Sequence, residues 1–495
     1  MLLQSLPQAG SARRAHEPAA RHRYAGGRSC VTSRPVVAHA VAAPTEHAED
    51  KWIARTLAPL AGVAVPPSLS ALNRSSLDAL RTMRMPTTRN EDYRFTDLAM
   101  LMGADVAAAA PGAAVDAAGI QALALEDAAN TFAVVVDGVL RPELSHLSGV
   151  PAGVYVGPLS GAPAALAARL GELAASRGGP FATLNGASVR DALVVDIPDG
   201  VAVSVPLHVL YVSTPGAGAA QLAGSAPRLL LRAGEHSTVE VLEEFCGAPG
   251  TESGHYFCSS VTELLLDEDS DVTHGYVQRE APGAVHIKAT LVRQAASSTY
   301  TLNEARVGGA LSRHDLGVEQ VGEDTHTDMR HFIIAGAGQT HDLHSKLVLD
   351  HPRGVASQLH KCIVAHASGR GVFDGNVRVN KRAQQSDAKQ LSRNLLLVPR
   401  ATVNVKPNLQ IVADDVKCTH GCAVSDLRDD ELFYFRARGI DAVSARRALV
   451  ASFGAEVTQR LKYKPLLARI KASVDGALVG VLDDVNAAAA ASSAE

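Results

Sequence analysis

A strand-rich stretch decides the fold: residues 369–421 read GRGVFDGNVRVNKRAQQSDAKQLSRNLLLVPRATVNVKPNLQIVADDVKCTHG. Apolar and polar residues alternate along it, most clearly around Val377 and Val379 and again around Val403 and Val405. Because successive side chains of a strand point to opposite faces, this alternation predicts short strands with one buried face. Residues typical of turns separate the strands, at Gly375-Asn376, Pro399 and Pro407-Asn408.

Similar short apolar runs continue over residues 186–425, with little helical periodicity between them. So many short strands must protect their edges, and a sandwich, a barrel or a β-solenoid would each do so. Several asparagines, which we place between the strands, are compatible with the turns of a solenoid: Asn376, Asn380, Asn394, Asn404 and Asn408. No strict repeat is visible, so the pattern alone leaves the three architectures open.

Helical patterns flank this core on both sides. Residues 46–185 predict a mainly helical N-terminal domain, with one hairpin signal in which Asp137-Gly138 separates two apolar runs. Residues 426–480 predict a C-terminal helical domain whose first helix begins with acidic residues, as favoured at the positive end of a helix dipole. Residues 481–495 are low in complexity, and we expect a disordered tail there.

The N-terminal leader differs from the rest of the chain. Before residue 44 it contains six arginines, several Ser and Ala residues and a single acid, Glu17. An acid-poor, Arg-rich leader is typical of an organelle transit peptide, which we assign to residues 1–45. Removing residues 1–43 takes away six positive charges and one negative charge, and lowers the net charge from −4 to about −9.

Composition narrows the function classes. The net charge of −4 gives no reason to expect a nucleic acid or an anionic membrane as a partner. The sequence contains no continuous apolar run long enough to span a bilayer, so we expect a soluble protein. Six cysteines in 495 residues are far below the density of a disulfide scaffold, and this indicates a reducing compartment.

The segment with the clearest candidates for metal ligands is DDVKCTHGCAVSDL, which begins at Asp414. It spaces Cys418, His420 and Cys422 two residues apart. On a continuous strand all three side chains would share one face, and thiolates and imidazole are natural ligands of iron, zinc and iron–sulfur clusters. We expect Gly421 to break the strand and turn Cys422 away. Three groups leave a tetrahedral site incomplete. The alternative is a buried strand end with a cysteine packed as a small hydrophobe and a histidine bonded to a backbone carbonyl.

The rest of the sequence gives no clear sign of a catalytic or nucleotide-binding site. The sequence lacks a phosphate-binding P-loop, an HExxH zinc motif, a GxSxG elbow and paired CxxC motifs. The pairs His314-Asp315 and His341-Asp342 invite an acid–base interpretation. Adjacent strand residues face opposite sides, however, so we expect these histidines to be hydrogen-bonded or solvated and not catalytic.

Residues 369–421, followed by DDELFYFRARGI and ARRALVASF, resemble the C-terminal half of the SufD family of iron–sulfur cluster assembly proteins. Similarity is dense from about His326 to Glu456, and EDYRFTDL, from Glu91, is similar to the family's N-terminal signature. Tyr93 stands where Trp is more usual in that signature. Cys422 also departs from the family pattern, in which a small residue is commoner, so no role is transferred to it.

The resemblance implies a mainly β fold, in which a right-handed parallel β-helix is flanked by N-terminal and C-terminal helical segments. It also implies a non-enzymatic scaffold in the chloroplast stroma, paired with a SufB-like subunit at the end of the β-helix. Two copies of a SufC-like ATPase would complete the complex, and the C-terminal helical segment would dock one of them. ATP-driven closure would then expose interfacial thiols to iron and sulfide.

For the site, the resemblance implies that His420 and Cys418 are candidate metal ligands at the SufB interface. A transient cluster would form there, with the remaining ligands from SufB, and the chain alone would hold no stable cofactor. Two other classes stay open. A β-solenoid carbohydrate-active enzyme predicts glycan turnover by the isolated chain, and a zinc-stabilised structural protein predicts stoichiometric zinc in it.

Overall fold

The computed structural model describes residues 50–60, 64–109, 115–251 and 254–492. The transit peptide assigned to residues 1–45 lies outside them. Among the helices of the described ranges, none combines the length and the apolar character that crossing a membrane requires.

Strands dominate the middle of the chain and alternate between two sheets. In chain order the strands are β1 (Asp105–Ala108), β2 (Phe132–Val136), β3 (Val139–Leu140), β4 (Tyr155–Pro158), β5 (Leu193–Ile197), β6 (Leu207–Ser213), β7 (Gln221–Ser225), β8 (Arg228–Ala233), β9 (Thr238–Gly247), β10 (Tyr256–Leu266), β11 (Asp271–Glu280), β12 (Val285–Gln294), β13 (Thr299–Gly308), β14 (Leu311–Gln320), β15 (His326–Ala335), β16 (Thr340–Leu349), β17 (Val355–Val364), β18 (Arg370–Val379), β19 (Asp387–Leu396), β20 (Thr402–Ile411) and β21 (Lys417–Ser425).

Helices lie before and after this series. They are α1 (Lys51–Leu57), α2 (Ser70–Leu80), α3 (Ala99–Gly103), α4 (Ala117–Gln121), α5 (Ala164–Ala167), α6 (Glu172–Arg177), α7 (Gly179–Ser188), α8 (Asp429–Arg436), α9 (Ala442–Thr458) and α10 (Lys464–Ser492).

The strand pairing defines a solenoid. From β8 onward each strand pairs in parallel with the strand two places later, so the even-numbered strands form sheet 1 and the odd-numbered strands form sheet 2. Each turn of the chain therefore adds one strand to each sheet, as in a parallel β-helix. The predicted fold class, a parallel β-helix with helical segments at both ends, is confirmed. Sheet 1 ends at β20 and sheet 2 ends at β21.

Side chains from the inward faces of both sheets form the main core. On the outer face of sheet 2, Phe332 and Ile334 pack against Val450 of α9 and against Leu466 and Ile470 of α10. The N-terminal helices cover the outer face of sheet 1 in the same way. Burying both faces of each sheet suits a parallel sheet, which is rarely stable with one face in water.

The N-terminal segment contributes strands as well as helices. The predicted hairpin is confirmed: β2 and β3 pair antiparallel through Val136 and Val139. Asp137 and Gly138 between them have φ values of 49° and 85°, as a tight primed turn requires. β2 also joins sheet 2 beside β6, so this part of the chain belongs to the solenoid sheets.

Three local predictions were wrong. Of the five asparagines placed between strands, only Asn380 lies at a corner, between β18 and β19, and the other four lie inside strands. Asn376 and Asn408 stack on neighbouring strands, and Nδ2 of Asn408 donates to Oδ1 of Asn376 at 2.8 Å. Pro407 lies inside β20, where the missing N–H is tolerated because β20 is an edge strand. The tail expected to be disordered from residue 481 is helical to Ser492, because alanine is the strongest helix former.

Candidate functional site

The thiol and imidazole groups lie on β21, the last strand of sheet 2. We call Cys418, His420 and Cys422 the terminal edge. Gly421 pairs with Leu391 in the ladder, and β21 runs through it to Ser425, so the expected strand break at Gly421 was wrong. Extended backbone at Gly421 keeps all three side chains of the terminal edge on one face.

That face is the inward face of the solenoid. Cys418, His420 and Cys422 are in register with Ala388, Gln390 and Ser392 of β19, all of which are buried. On β21 itself Cys418 is half-buried, whereas His420 and Cys422 are exposed, because no further turn covers them. The interior column of side chains thus opens to solvent at the terminal edge.

Both thiols are harder to ionise than a free cysteine. Burial raises the pKa of Cys418, and the backbone N–H contributed by Ala388 offsets this only in part. Burial also raises the pKa of Cys422. Binding of a metal at either sulfur must therefore displace a proton.

The terminal edge does not complete a coordination sphere. A strand rises about 3.3 Å per residue, so Cys418 and Cys422 are separated by about 13 Å of strand and cannot share one metal ion. Within the described ranges no three His, Cys, Asp or Glu side chains are arranged to hold a metal ion. The donor set of Cys418 and His420 suits iron or an iron–sulfur cluster but needs ligands from outside these residues.

Apolar core positions are also uncovered at this end. Val424 is in register with buried Asn394, and Ile411 is in register with buried Val379, yet Val424 and Ile411 are 50% and 46% exposed. Repeat proteins usually close their ends with a capping element. The two open strand edges also present unpaired backbone groups, which can pair with another chain.

A second exposed apolar patch lies on α8, which follows the terminal edge directly. Phe433 is 72% exposed and Tyr434 is 55% exposed. α8 packs against α9, which is itself fixed on sheet 2. We call Phe433 and Tyr434 the α8 patch.

The interior contains a buried polar cluster that sequence reasoning missed. Glu304 is fully buried, and its Oε2 accepts hydrogen bonds from Nδ1 of His314 at 3.1 Å and from Nδ1 of His331 at 2.6 Å. Burial alone would raise the pKa of Glu304, but His314, Arg306 and His331 together hold it well below its usual range. The only signal in the sequence is the spacing of about 30 residues between equivalent strands, which no single motif displays.

The two His-Asp pairs are split between faces, as predicted. His341 is buried in the interior, while Asp342 lies on the outer side of sheet 1 and accepts from Nη1 of Arg313 at 2.6 Å. His314 likewise faces the interior, and Asp315 contacts Arg313 on the outer side. Neither pair forms an acid–base dyad. The expectation that these histidines are hydrogen-bonded or solvated is met by His314, which bonds to Thr290, and was wrong for His341, which is buried without a hydrogen-bond partner among the described residues.

The segment EDYRFTDL has a structural role. Arg313 of β14 lies over the ring of Tyr93, 3.8 Å from its centroid, and its Nη1 donates to the backbone oxygen of Asp92 at 2.8 Å. The hydroxyl of Thr96 donates to Asp342. The segment therefore anchors the N-terminal helices to sheet 1.

Comparison with known protein families gives the class to which this parallel solenoid belongs. Residues 216–453 match the family model "SUF system FeS cluster assembly, SufBD core domain", and residues 63–209 match "SufBD protein N-terminal region". The chain therefore belongs to the SufBD family of iron–sulfur cluster assembly proteins.

Individual relatives narrow this to the SufD type. The chain is 42% identical to "Protein ABCI7, chloroplastic" of Arabidopsis thaliana, over 83% of this chain and 86% of that protein. It is 34% identical to an iron–sulfur cluster assembly SufBD family protein of Synechocystis, over 81% and 89% of the two chains. It is 26% identical to the iron–sulfur cluster assembly protein SufD of Escherichia coli, over 82% and 92%. The predicted resemblance to SufD is confirmed.

Proposed function

We propose that this chain is a scaffold subunit without catalytic residues, which pairs with a SufB-like subunit and helps a nascent iron–sulfur cluster form. The cluster is the cargo of the complex and not a resident cofactor. The observation that carries the proposal is the uncapped end of the solenoid, where apolar core positions, two open strand edges and the terminal edge coincide.

A SufB-like subunit is the partner that this end suits. A second β-helix could extend both sheets by adding strands beside β20 and β21, which would cover Val424 and Ile411. Pairing would also bring ligands from the other chain to Cys418 and His420. Half a coordination sphere on each subunit would tie cluster formation to assembly.

The α8 patch is the proposed docking site of a SufC-like ATPase. Exposed aromatic side chains at a position fixed by packing are typical anchors of a protein interface. Phe433 and Tyr434 lie next to the terminal edge in the chain, so movement of a docked ATPase would act directly on β21. ATP hydrolysis would belong to that partner.

We place the complex in the chloroplast stroma. The name of the Arabidopsis relative describes that protein as chloroplastic, and the Arg-rich leader of this chain is typical of a transit peptide.

Co-purification from plastid extract tests the partners. We expect a SufB-like subunit and a SufC-like ATPase to be retained by the native chain. Val424→Asp, at an exposed position, is expected to release the SufB-like subunit and leave the fold intact. Absence of both partners from the native chain would reject the proposal, as would a full metal complement in the chain purified alone.

His420→Ala tests the site. We expect the variant chain to fold normally, because His420 is exposed, to retain the SufB-like subunit through the open edges of β20 and β21, and to yield less cluster than the native complex. The matched control is His366→Ala, which removes an exposed imidazole from the loop between β17 and β18. Equal cluster yield from the His420→Ala and native complexes would refute the role of His420.

A further inference from the structure

A column of polar side chains leads from the buried cluster to the terminal edge. Gln358 of β17, Gln390 of β19 and His420 of β21 are in register on the inward face of sheet 2. Gln358 and Gln390 are each 3% exposed. At the inner end, Gln358 contacts His331, which is hydrogen-bonded to Glu304.

In this column each side chain from His331 to Gln390 donates a hydrogen bond to the side chain that lies one step nearer to Glu304. Nδ1 of His331 donates to the carboxylate of Glu304, and Nε2 of His331 accepts from Nε2 of Gln358 at 3.1 Å. Oε1 of Gln358 then accepts from Nε2 of Gln390 at 3.0 Å. Since a carboxylate can only accept, Glu304 sets the orientation of each amide in turn.

The outermost amide of the column, that of Gln390, has an acceptor oxygen without a hydrogen-bond partner among the described residues. This oxygen, Oε1, is buried. Nε2 of this amide is engaged with Gln358 on the preceding turn, and the residue in register with Gln390 on the following turn is His420. Buried carbonyl oxygens without a partner are rare and call for an explanation.

Gly375 makes room for this amide. A Cβ atom at Gly375, on β18 of the opposite sheet, would lie 2.4 Å from Nε2 of Gln390 and 2.5 Å from the ring of Phe373. A side chain at position 375 would therefore displace the amide from its place in the column.

We infer that Gln390 is a positioning residue for His420. Turning the exposed ring of His420 inward would bring one ring N–H to the unpartnered Oε1 of Gln390, and would leave the other ring nitrogen unprotonated and directed outward as a ligand. Histidine ligands are commonly held in one tautomer by such a second hydrogen bond. The metal-binding part of this inference rests on the proposed function, whereas the tautomer does not.

The tautomer of His420 tests the inference directly. Two-bond ¹⁵N–¹H correlation spectra of the full chain, labelled at histidine nitrogens and free of iron, report the protonated nitrogen of each ring. The signal of His420 is identified by its loss in His420→Ala. We expect a single tautomer in the native chain and a mixture in Gln390→Met, which keeps the side-chain length but removes the acceptor.

Two further variants separate positioning from folding. Gln390→Glu keeps an acceptor oxygen and is expected to restore the single tautomer. Gln294→Met removes another buried glutamine, on β12, whose amide bonds to Ser298 and His326, and is expected to leave the signal of His420 unchanged. A native mixture of tautomers, or the same tautomer in Gln390→Met, would overturn the inference.

Cobalt binding by the assembled complex gives the functional readout. We expect Gln390→Met to weaken the affinity for Co²⁺ by about 10–100-fold, as measured for other residues that orient histidine ligands. Unchanged Co²⁺ affinity would overturn the ligand-positioning role. If the native complex binds no Co²⁺ while the tautomer responds to Gln390→Met, the hydrogen bond stands and the proposed function fails.

Discussion

The stability of the protein should fall when the pH is lowered from 7 to 5, and His341 should account for a defined share of the loss. His341 is fully buried, and neither of its ring nitrogens has a hydrogen-bond partner within the described ranges. Burial lowers the pKa of His341 to about 3, and nearby Arg306 lowers it further than Glu304 raises it.

The sign and magnitude follow from proton linkage. The unfolded chain protonates His341 near its ordinary pKa of about 6.5, whereas the folded protein resists protonation until about pH 3. Between these values the unfolded state binds more protons, so stability declines as the pH falls. For one such histidine the loss between pH 7 and pH 5 is about 2 kcal/mol.

Urea denaturation followed by circular dichroism at both pH values measures this loss. We expect His341→Leu to reduce the difference between pH 7 and pH 5 by about 2 kcal/mol relative to the native protein. The matched control is Leu343→Ala, a buried apolar truncation on the same face of β16, which should lower stability at both pH values by about 2–5 kcal/mol without changing the difference. An unchanged pH difference in His341→Leu would refute the assignment.

Three other substitutions test the remaining features. Asp342→Asn removes one of the two carboxylates paired with the buried guanidinium of Arg313 and leaves Asp315 as the other, so it should lower the free energy of unfolding in urea by about 1.5–3 kcal/mol, and a loss below about 0.5 kcal/mol would contradict the anchoring role. Gly375→Ala should cost about 1–3 kcal/mol in thermal unfolding because its methyl group meets Gln390, and an unchanged melting temperature would show that the column is not tightly packed. Phe433→Ala should change stability by less than about 0.5 kcal/mol yet abolish co-purification of the ATPase, and retention of the ATPase would reject the α8 patch.

The sequence was a good guide to strands and a poor guide to turns. Alternation is local, and the stretch that shows it most clearly, residues 369–421, forms β18 to β20 and the first half of β21. The corners of the solenoid are harder to predict, because at several of them the residue with positive φ is not glycine, among them Arg353, Gln385 and Arg400. None of these is a strong turn signal, so the period of about 30 residues stayed hidden.

The geometry of the candidate site was likewise predictable only in part. The spacing of Cys418, His420 and Cys422 predicted a shared face, and only the expected break at Gly421 was wrong, because ladder hydrogen bonds hold that glycine extended. The roles of Cys418 and His420 as ligands stay predictions. The sequence offered no means of finding Gln390 beneath His420, because 30 residues separate them.

The sequence by itself determined the direction of each side chain on its strand, because the two-residue period is a property of the local backbone. Its resemblance to the SufD family supplied the family and, with it, the choice of a parallel β-helix among the three architectures that the pattern left open. Only the tertiary structure decided which side chains stack in one column and that the column is uncapped at β20 and β21. Stacking depends on the length and corner geometry of every turn between two strands, and these combine over the whole solenoid.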